Sequence, residues 1–403
     1  MGRGSNWEIL RNAFFQHTAQ TSPYPLGLEI ETAKGIYLYD SGGKKYMDLI
    51  SGIAVSNIGH RHIKVIRAVK KQLDKYLHVM AYGEFIQAPQ TALANRLSSL
   101  LPGPLDNVYF VNSGTEANEA AIKLAKRITG RTEIISFRNS YHGSTLGSLS
   151  VSGNEMKKFR YRPLIPGVTF LRFNSLEDLD KITDQAAAVI IEPVQGDAGV
   201  RIPTKSYLRE LRRKCDETDA LLIFDEVQTG FGRTGKLFAF EHFEVIPDIL
   251  TMAKAMGGGM PIGAMISSRK KMLAFSHDPI LGHITTFGGH PVNCAAALAN
   301  LEVLVEDHVI DEVEKKGILF EKLLKHEAIR DFRRIGLMMA VEFESGEVVQ
   351  QIVRKCLEKR LITFWFLSTA NSLRLAPPLT ITQKEINKAC RLIRNVISDV
   401  MKK

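Results

Sequence analysis

Lys254 stands alone in an otherwise uncharged stretch, Thr251-Met252-Ala253-Lys254-Ala255-Met256, and three glycines, Gly257-Gly258-Gly259, follow it. A lysine stripped of water loses its proton more easily, and the neutral amine attacks carbonyl carbons. The glycines would let the backbone fold closely around whatever that amine binds. The same residues also suit a lysine that snorkels out of a partly buried loop, so the stretch alone leaves both readings open. A second candidate is Asp225, which ends the apolar run Ala220–Asp225 (ALLIFD). A carboxylate at the end of a buried strand needs a partner, and a protonated ring nitrogen or a structural ion pair would serve equally well. A third is Asn112-Ser113-Gly114-Thr115-Glu116, between a strand-like run and an alanine-rich helix. Small residues admit a ligand to the backbone there. Free N–H groups at a helix start favour phosphate, and the Ser113 and Thr115 hydroxyls add donors. A plain helix cap would use the same residues.

These candidates need a frame. Gly35–Asp48 alternates apolar and polar positions around Ser41-Gly42-Gly43, the pattern of two strands joined by a tight turn. Lys64–Leu77 and Thr91–Leu101 carry apolar residues at helical spacing. Strand-like Asn107–Asn112, Glu133–Phe137, Ala187–Glu192 and Ala220–Asp225 then alternate with helical Glu116–Arg127 and Tyr207–Thr218. Such alternation predicts an α/β unit with a mostly parallel sheet covered by helices on both faces. Ligands in these sheets sit beyond the C-terminal strand ends. After about Pro291 the pattern changes to helices at Asn293–Val305, Val309–Leu324, Val348–Arg360 and Gln383–Met401, with strands at Leu337–Phe343 and near Ser372–Leu375. This reads as a smaller α+β unit packed with the N-terminal hairpin. The expected division is 1–60 joining the small domain, 61–290 as the large domain and 291–403 as the C-terminal small domain.

The bulk composition narrows the function classes. The chain has 403 residues, 45% of them hydrophobic and 24% charged, which is a globular composition at a length suited to one large and one smaller domain. No apolar run is long enough to predict a membrane span, and the first residues lack the features of a secretory signal. Four dispersed cysteines, Cys215, Cys294, Cys356 and Cys390, predict a reduced, cytoplasmic protein without a disulfide frame. The net charge of +10 is spread over short clusters such as Arg67–Lys75 and Arg209–Lys214 on amphipathic helices. Those read as solvated faces rather than a nucleic-acid groove; a positive potential would draw in an anionic cofactor and carboxylate substrates. His60 and His62 lack carboxylate or thiol companions in sequence, so no metal is expected.

The motifs Asn112–Asn118 (NSGTEAN), Tyr141-His142-Gly143, Ile191–Gly199 (IEPVQGDAG), Phe224–Gly230 (FDEVQTG), Ala253–Gly259 (AKAMGGG), Thr285–Pro291 (TTFGGHP) and Leu373–Leu379 (LRLAPPL) follow one another in a telling order. In order and spacing they resemble the class III aminotransferases of the ornithine, acetylornithine, 4-aminobutyrate and putrescine type. The resemblance extends from about Gly27 to the C-terminus. It implies fold type I of the pyridoxal-phosphate enzymes, bound pyridoxal 5'-phosphate, and a homodimer with shared active sites. Lys254 would be the Schiff-base lysine and carry the proton between substrate and cofactor. Asp225 would pair with the pyridinium nitrogen and keep the ring an electron sink. Tyr141 would stack on the ring, with His142 beside it in no catalytic role, and Gln228 would meet the 3-hydroxyl. Ser113, Gly114 and Thr115 would hold the phosphate, and Thr286 would reach the phosphate of the other subunit's cofactor. Glu192 matches a glutamate at a strand end. Arg374 would pair with a substrate carboxylate through two parallel bonds.

Two positions depart from the ornithine-type pattern, both in the substrate-binding set. Ser144 stands where those members carry an arginine for a second carboxylate, and Arg138 or Arg160 is the nearby cation that could substitute. Asp197 stands where a glutamate masks the substrate arginine. The implied activity is a ping-pong transfer from an ω-amine donor (ornithine, acetylornithine, a diamine or 4-aminobutyrate) to a 2-oxo acid. The alternative is an amino-acid epimerase on the same scaffold, with Asp197 as the second acid/base.

Overall fold

The computed structural model describes residues 3–81 and 83–402. The chain first lays down strands β1 (Ile30–Lys34), β2 (Tyr37–Asp40) and β3 (Lys45–Asp48). Seven more follow: β4 (Asn107–Val111), β5 (Glu133–Phe137), β6 (Val168–Leu171), β7 (Ala186–Ile191), β8 (Leu221–Asp225), β9 (Ile249–Met252) and β10 (Gly263–Ser267). The last five are β11 (Asp331–Ile335), β12 (Met338–Glu342), β13 (Leu361–Ile362), β14 (Phe364–Trp365) and β15 (Ser372–Leu375).

Strands β4 to β10 form one sheet in the order β4-β10-β9-β8-β7-β5-β6. Neighbours pair in parallel from β9 through β6, and β10 runs antiparallel to both β4 and β9. Strands β7 and β8 are buried along their whole length, which is why their sequences read as unbroken apolar runs. Alternate residues nevertheless serve different cores. Val189, Ile191, Leu222 and Phe224 pack with Tyr207, Leu208 and Leu211 of the helix Lys205–Thr218. Ala188, Ile190 and Ile223 pack with Ala120, Ala121 and Leu124 of the helix Gly114–Thr129. Both faces are thus covered, as the alternating pattern predicts.

The expected N-terminal hairpin forms between β2 and β3, and its turn is held by Asp40, whose Oδ1 accepts from the N–H groups of Gly42 and Lys44. Strand β13 pairs in parallel with β3, so the two chain ends share a sheet, while β11, β12, β15 and β14 make a third. The helix Pro291–Glu306 packs on the helices Ile63–Leu73 and Ala88–Leu100, beside the large sheet. It also braces the Lys254 turn, because Asn300 Nδ2 donates to the carbonyls of Ala255 and Met256 at 2.8 and 3.2 Å. Gly258 lies against this asparagine: an added Cβ would come within 2.9 Å of Asn300, and its φ of +59° suits glycine. Strands β1, β6, β9, β10, β11, β13 and β14 lie outside the sequence expectation. Each is only two to five residues long, too short for periodicity to declare itself. No helix among the described residues is long and apolar enough to cross a membrane.

Candidate active site

The C-terminal ends of the parallel strands converge on a cavity of about 480 Å³. The turn after β4 supplies Ser113, Gly114 and Thr115, the loop after β5 supplies Tyr141 to Ser144, and Glu192 follows β7. Asp225 and Gln228 come from the end of β8, and Lys254 from the turn after β9. Lys254 takes a φ of +42°, a backbone conformation that costs a non-glycine residue energy and recurs at functional sites. Its amine has no hydrogen-bond or ion-pair partner among the described residues. Burial, reinforced by the charge of Arg374, holds its pKa below the ordinary lysine value. An amine that faces a cavity and gives up its proton more readily than usual is suited to attack a carbonyl.

Asp225 is buried and fully engaged. Its Oδ2 accepts from Asn118 Nδ2 at 2.8 Å and lies 2.7 Å from His142 Nδ1, and its Oδ1 accepts from the Val227 N–H at 3.0 Å. Asn118 is itself locked: Nδ2 also donates to the His142 carbonyl, and Oδ1 accepts from Thr251 Oγ1. His142, expected among the cofactor-binding residues without a catalytic role, is the direct partner of Asp225. Asn118, the last residue of the NSGTEAN motif, carries no role in the sequence reading. Its signal was a single amide within an alanine-rich helical stretch four residues after Gly114. Glu192 braces two loops, accepting from the N–H groups of Tyr141 and Gly196 at 3.0 and 2.9 Å. Burial pushes its carboxyl up to about 7.

The phosphate-loop residues carry both alternatives read from sequence. Ser113 caps the helix Gly114–Thr129, accepting from the Glu116 N–H at 3.3 Å. The first-turn N–H groups of Gly114 and Thr115 have no intrahelical acceptor and are open to an anion. The loops here are packed too closely for side chains: a Cβ on Gly114 would lie 2.6 Å from Val227, and one on Gly143 would lie 2.3 Å from Thr115 Oγ1. The donor set thus fits pyridoxal phosphate. It comprises a free amine for the aldehyde, a fixed carboxylate for the ring nitrogen, an aromatic face at Tyr141 and a helix start for the phosphate.

Arg374 enters from the other side, on β15 between β12 and β14 of the small sheet. It is 5% exposed and stacks on Phe366, with the guanidinium carbon 4.3 Å from the ring centre. Its Nη2 donates to Asp197 Oδ1 at 2.5 Å, while its Nε is buried without a partner. Asp197 is thus held as the ion-pair acceptor of Arg374.

Ser144 Oγ lies 3.2 Å from the Tyr141 hydroxyl. Neither cation offered in its place faces the cavity. Arg160 lies over Phe159, and Arg138 lines a separate cleft of about 1210 Å³ with Arg201 and Arg333. That cleft shares no lining residue with the Lys254 cavity. Thr286 is exposed and takes no part in the cavity wall of its own chain. His60 is paired with Asp48 at 2.8 Å.

Comparison with known proteins agrees on one family. Residues 18–397 match the family described as Aminotransferase class-III. The acetylornithine aminotransferase of Methanocaldococcus jannaschii is 42% identical over 381 residues, covering 92% of this chain and 93% of that protein. A [LysW]-aminoadipate semialdehyde/glutamate semialdehyde transaminase of Sulfurisphaera tokodaii is 37% identical, covering 94% and 96%. Among solved structures, an ornithine aminotransferase from Toxoplasma gondii, described with partial occupancy of pyridoxal phosphate at its active site, superposes with a TM-score of 0.91. It is 29% identical, and the match covers 98% of this chain and 95% of that one.

Proposed function

The chain belongs to the class-III aminotransferases and is with them a pyridoxal-phosphate-dependent enzyme, and we propose that it moves an amino group from an ω-amine donor of the acetylornithine or ornithine class to a 2-oxo acid. The observation that carries this reading is the Lys254 amine, without a partner among the described residues, lining one cavity with Asp225 and Glu192 at the strand ends.

When bound, pyridoxal phosphate supplies a ring that withdraws electrons from the substrate carbon bearing the amine. The chain's residues do the rest. Lys254 would hold the cofactor through its aldehyde and would carry the proton removed from the donor carbon. Asp225, oriented by His142 and Asn118, would keep a proton on the ring nitrogen. Gly114 and Thr115 would hold the phosphate through the helix start, Tyr141 and Gln228 would contact the ring, and Glu192 fixes the loop that carries Tyr141. Arg374 binds a carboxylate of the substrate or oxo acid, in competition with Asp197.

The working unit in this reading is a homodimer in which Thr286 completes the partner's phosphate site. An apolar surface around that loop supports it: Ile86 is 97%, Phe85 53% and Phe287 54% exposed, an arrangement typical of a protein–protein face. The test is a screen of amino donors against 2-oxoglutarate and pyruvate with purified protein. Stoichiometric transfer from an ω-amine donor, with a yellow resting enzyme, supports the proposal. A colourless protein in added cofactor, or racemisation of single amino acids in D₂O without transfer, overturns it.

A further inference from the structure

Asp197 and Arg374 are both nearly buried, at 4% and 5% exposure. Any carboxylate that takes Arg374 must therefore displace Asp197 or share with it. A buried carboxylate stripped of its only cation would be costly to leave unpaired, yet Asp197 has a second set of partners. Its Oδ1 also accepts from the Leu367 N–H and its Oδ2 from the Ser368 hydroxyl, both at 3.1 Å. With Arg374 withdrawn, each oxygen still keeps one donor.

The direction of the Ser368 hydroxyl is set from further out. Asn154 Oδ1 accepts from the Met156 N–H at 3.1 Å as it caps a short turn, which fixes the orientation of its amide. Its Nδ2 therefore points at Ser368 Oγ, at 3.0 Å, and occupies that oxygen as a donor. A hydroxyl that accepts on one side directs its single proton to the other, here to Asp197. Three residues far apart in sequence thus form a chain: Asn154 orients Ser368, and Ser368 holds Asp197.

We infer that Ser368, oriented by Asn154, is a positioning residue that holds Asp197 in place when Arg374 is released to a substrate carboxylate. This rests on the proposed role of Arg374 as the carboxylate receptor. Ser368 matters most after Arg374 has gone, because the hydroxyl is then one of only two donors left to the carboxylate. Its loss should raise the cost of displacement and weaken carboxylate binding, with no effect on amines that carry no carboxylate.

The experiment is calorimetric titration of the holoenzyme with butanoate, a carboxylate without amino or oxo group. Ser368→Ala should weaken binding by about tenfold or more, the scale of one hydrogen bond to a charged group. Ser368→Thr should restore it, and Asn154→Ala should weaken it to a lesser extent. In an Asp197→Ala background, Ser368→Ala should change nothing. The KM for 1-aminobutane should stay unchanged in Ser368→Ala while that for carboxylate-bearing donors rises. Unchanged butanoate affinity in Ser368→Ala, an equal loss in the Asp197→Ala background, or an equal rise in KM for 1-aminobutane overturns the inference. If the wild-type enzyme transfers no amino group, the proposed function falls, and the butanoate titration still decides the role of Ser368.

Discussion

The two polar clusters whose charges act on Lys254, one on each side, are held together differently. On the cofactor side, Asp225 accepts on both oxygens from partners that are themselves locked, and His142 Nε2 is the atom of that group left without a partner. On the substrate side, Arg374 commits one nitrogen to Asp197 and leaves a buried guanidinium N–H unpaired. Breaking any bond to Asp225 strands a buried polar group, so that cluster resists rearrangement. A pair with a spare donor on one partner and two further donors on the other can exchange at lower cost. In the proposed function the rigid side would set the reaction, and the exchangeable one would set which carboxylate is received.

Perturbing each cluster should separate these roles. The largest effect belongs to the residue common to both: Lys254→Ala should lower turnover by about a thousandfold or more and abolish the borohydride-reducible cofactor adduct. Asp225→Ala should cost about 3 kcal/mol of stability in urea unfolding of cofactor-free protein, because it strands His142 and Asn118 in the core. Arg374→Gln should raise KM for carboxylate-bearing substrates by roughly 30-fold or more while costing less stability than Asp225→Ala, since Asp197 keeps Leu367 and Ser368. Equal stability losses in the two variants would erase the distinction between the clusters.

The smallest expected effect is one of pH. Burial raises both Glu192 and Glu226 from near 4.5 to about 7. Each group then binds a proton more tightly in the folded chain than in the unfolded one, so folding is favoured below about 7 and loses that support as pH rises through it. Cofactor-free protein should lose about 2 kcal/mol per group between pH 5.5 and 8 from this source. Glu192→Gln should flatten the slope of stability against pH in chemical unfolding, and an unchanged slope would show that Glu192 is ionised throughout.

Much of the cofactor side was legible in the sequence because its residues sit at strand ends, where a local change from apolar run to small or polar residues marks the spot. Lys254, Asp225 and Ser113 to Thr115 were readable in this way, and the family resemblance supplied their roles. The partners that make them work were not. Asn118 meets Asp225 across 107 residues of sequence and His142 meets it across 83, and no local pattern announces such a pairing. The substitutes for Ser144 failed for the same reason. Arg138 and Arg160 are close to it in sequence, but the loop after β5 sends them to other surfaces.

The sequence by itself determined the alternation of strands and helices, the turn at Ser41 to Gly43, and the short list of reactive residues. These follow from side-chain periodicity and backbone preference, which act over a few residues. Only the tertiary structure decided that Ser368 holds Asp197, that His142 supports Asp225, and that Asn300 packs against Gly258. Those outcomes depend on strand order and on which buried polar groups meet once the sheets are assembled, and burial makes each meeting obligatory.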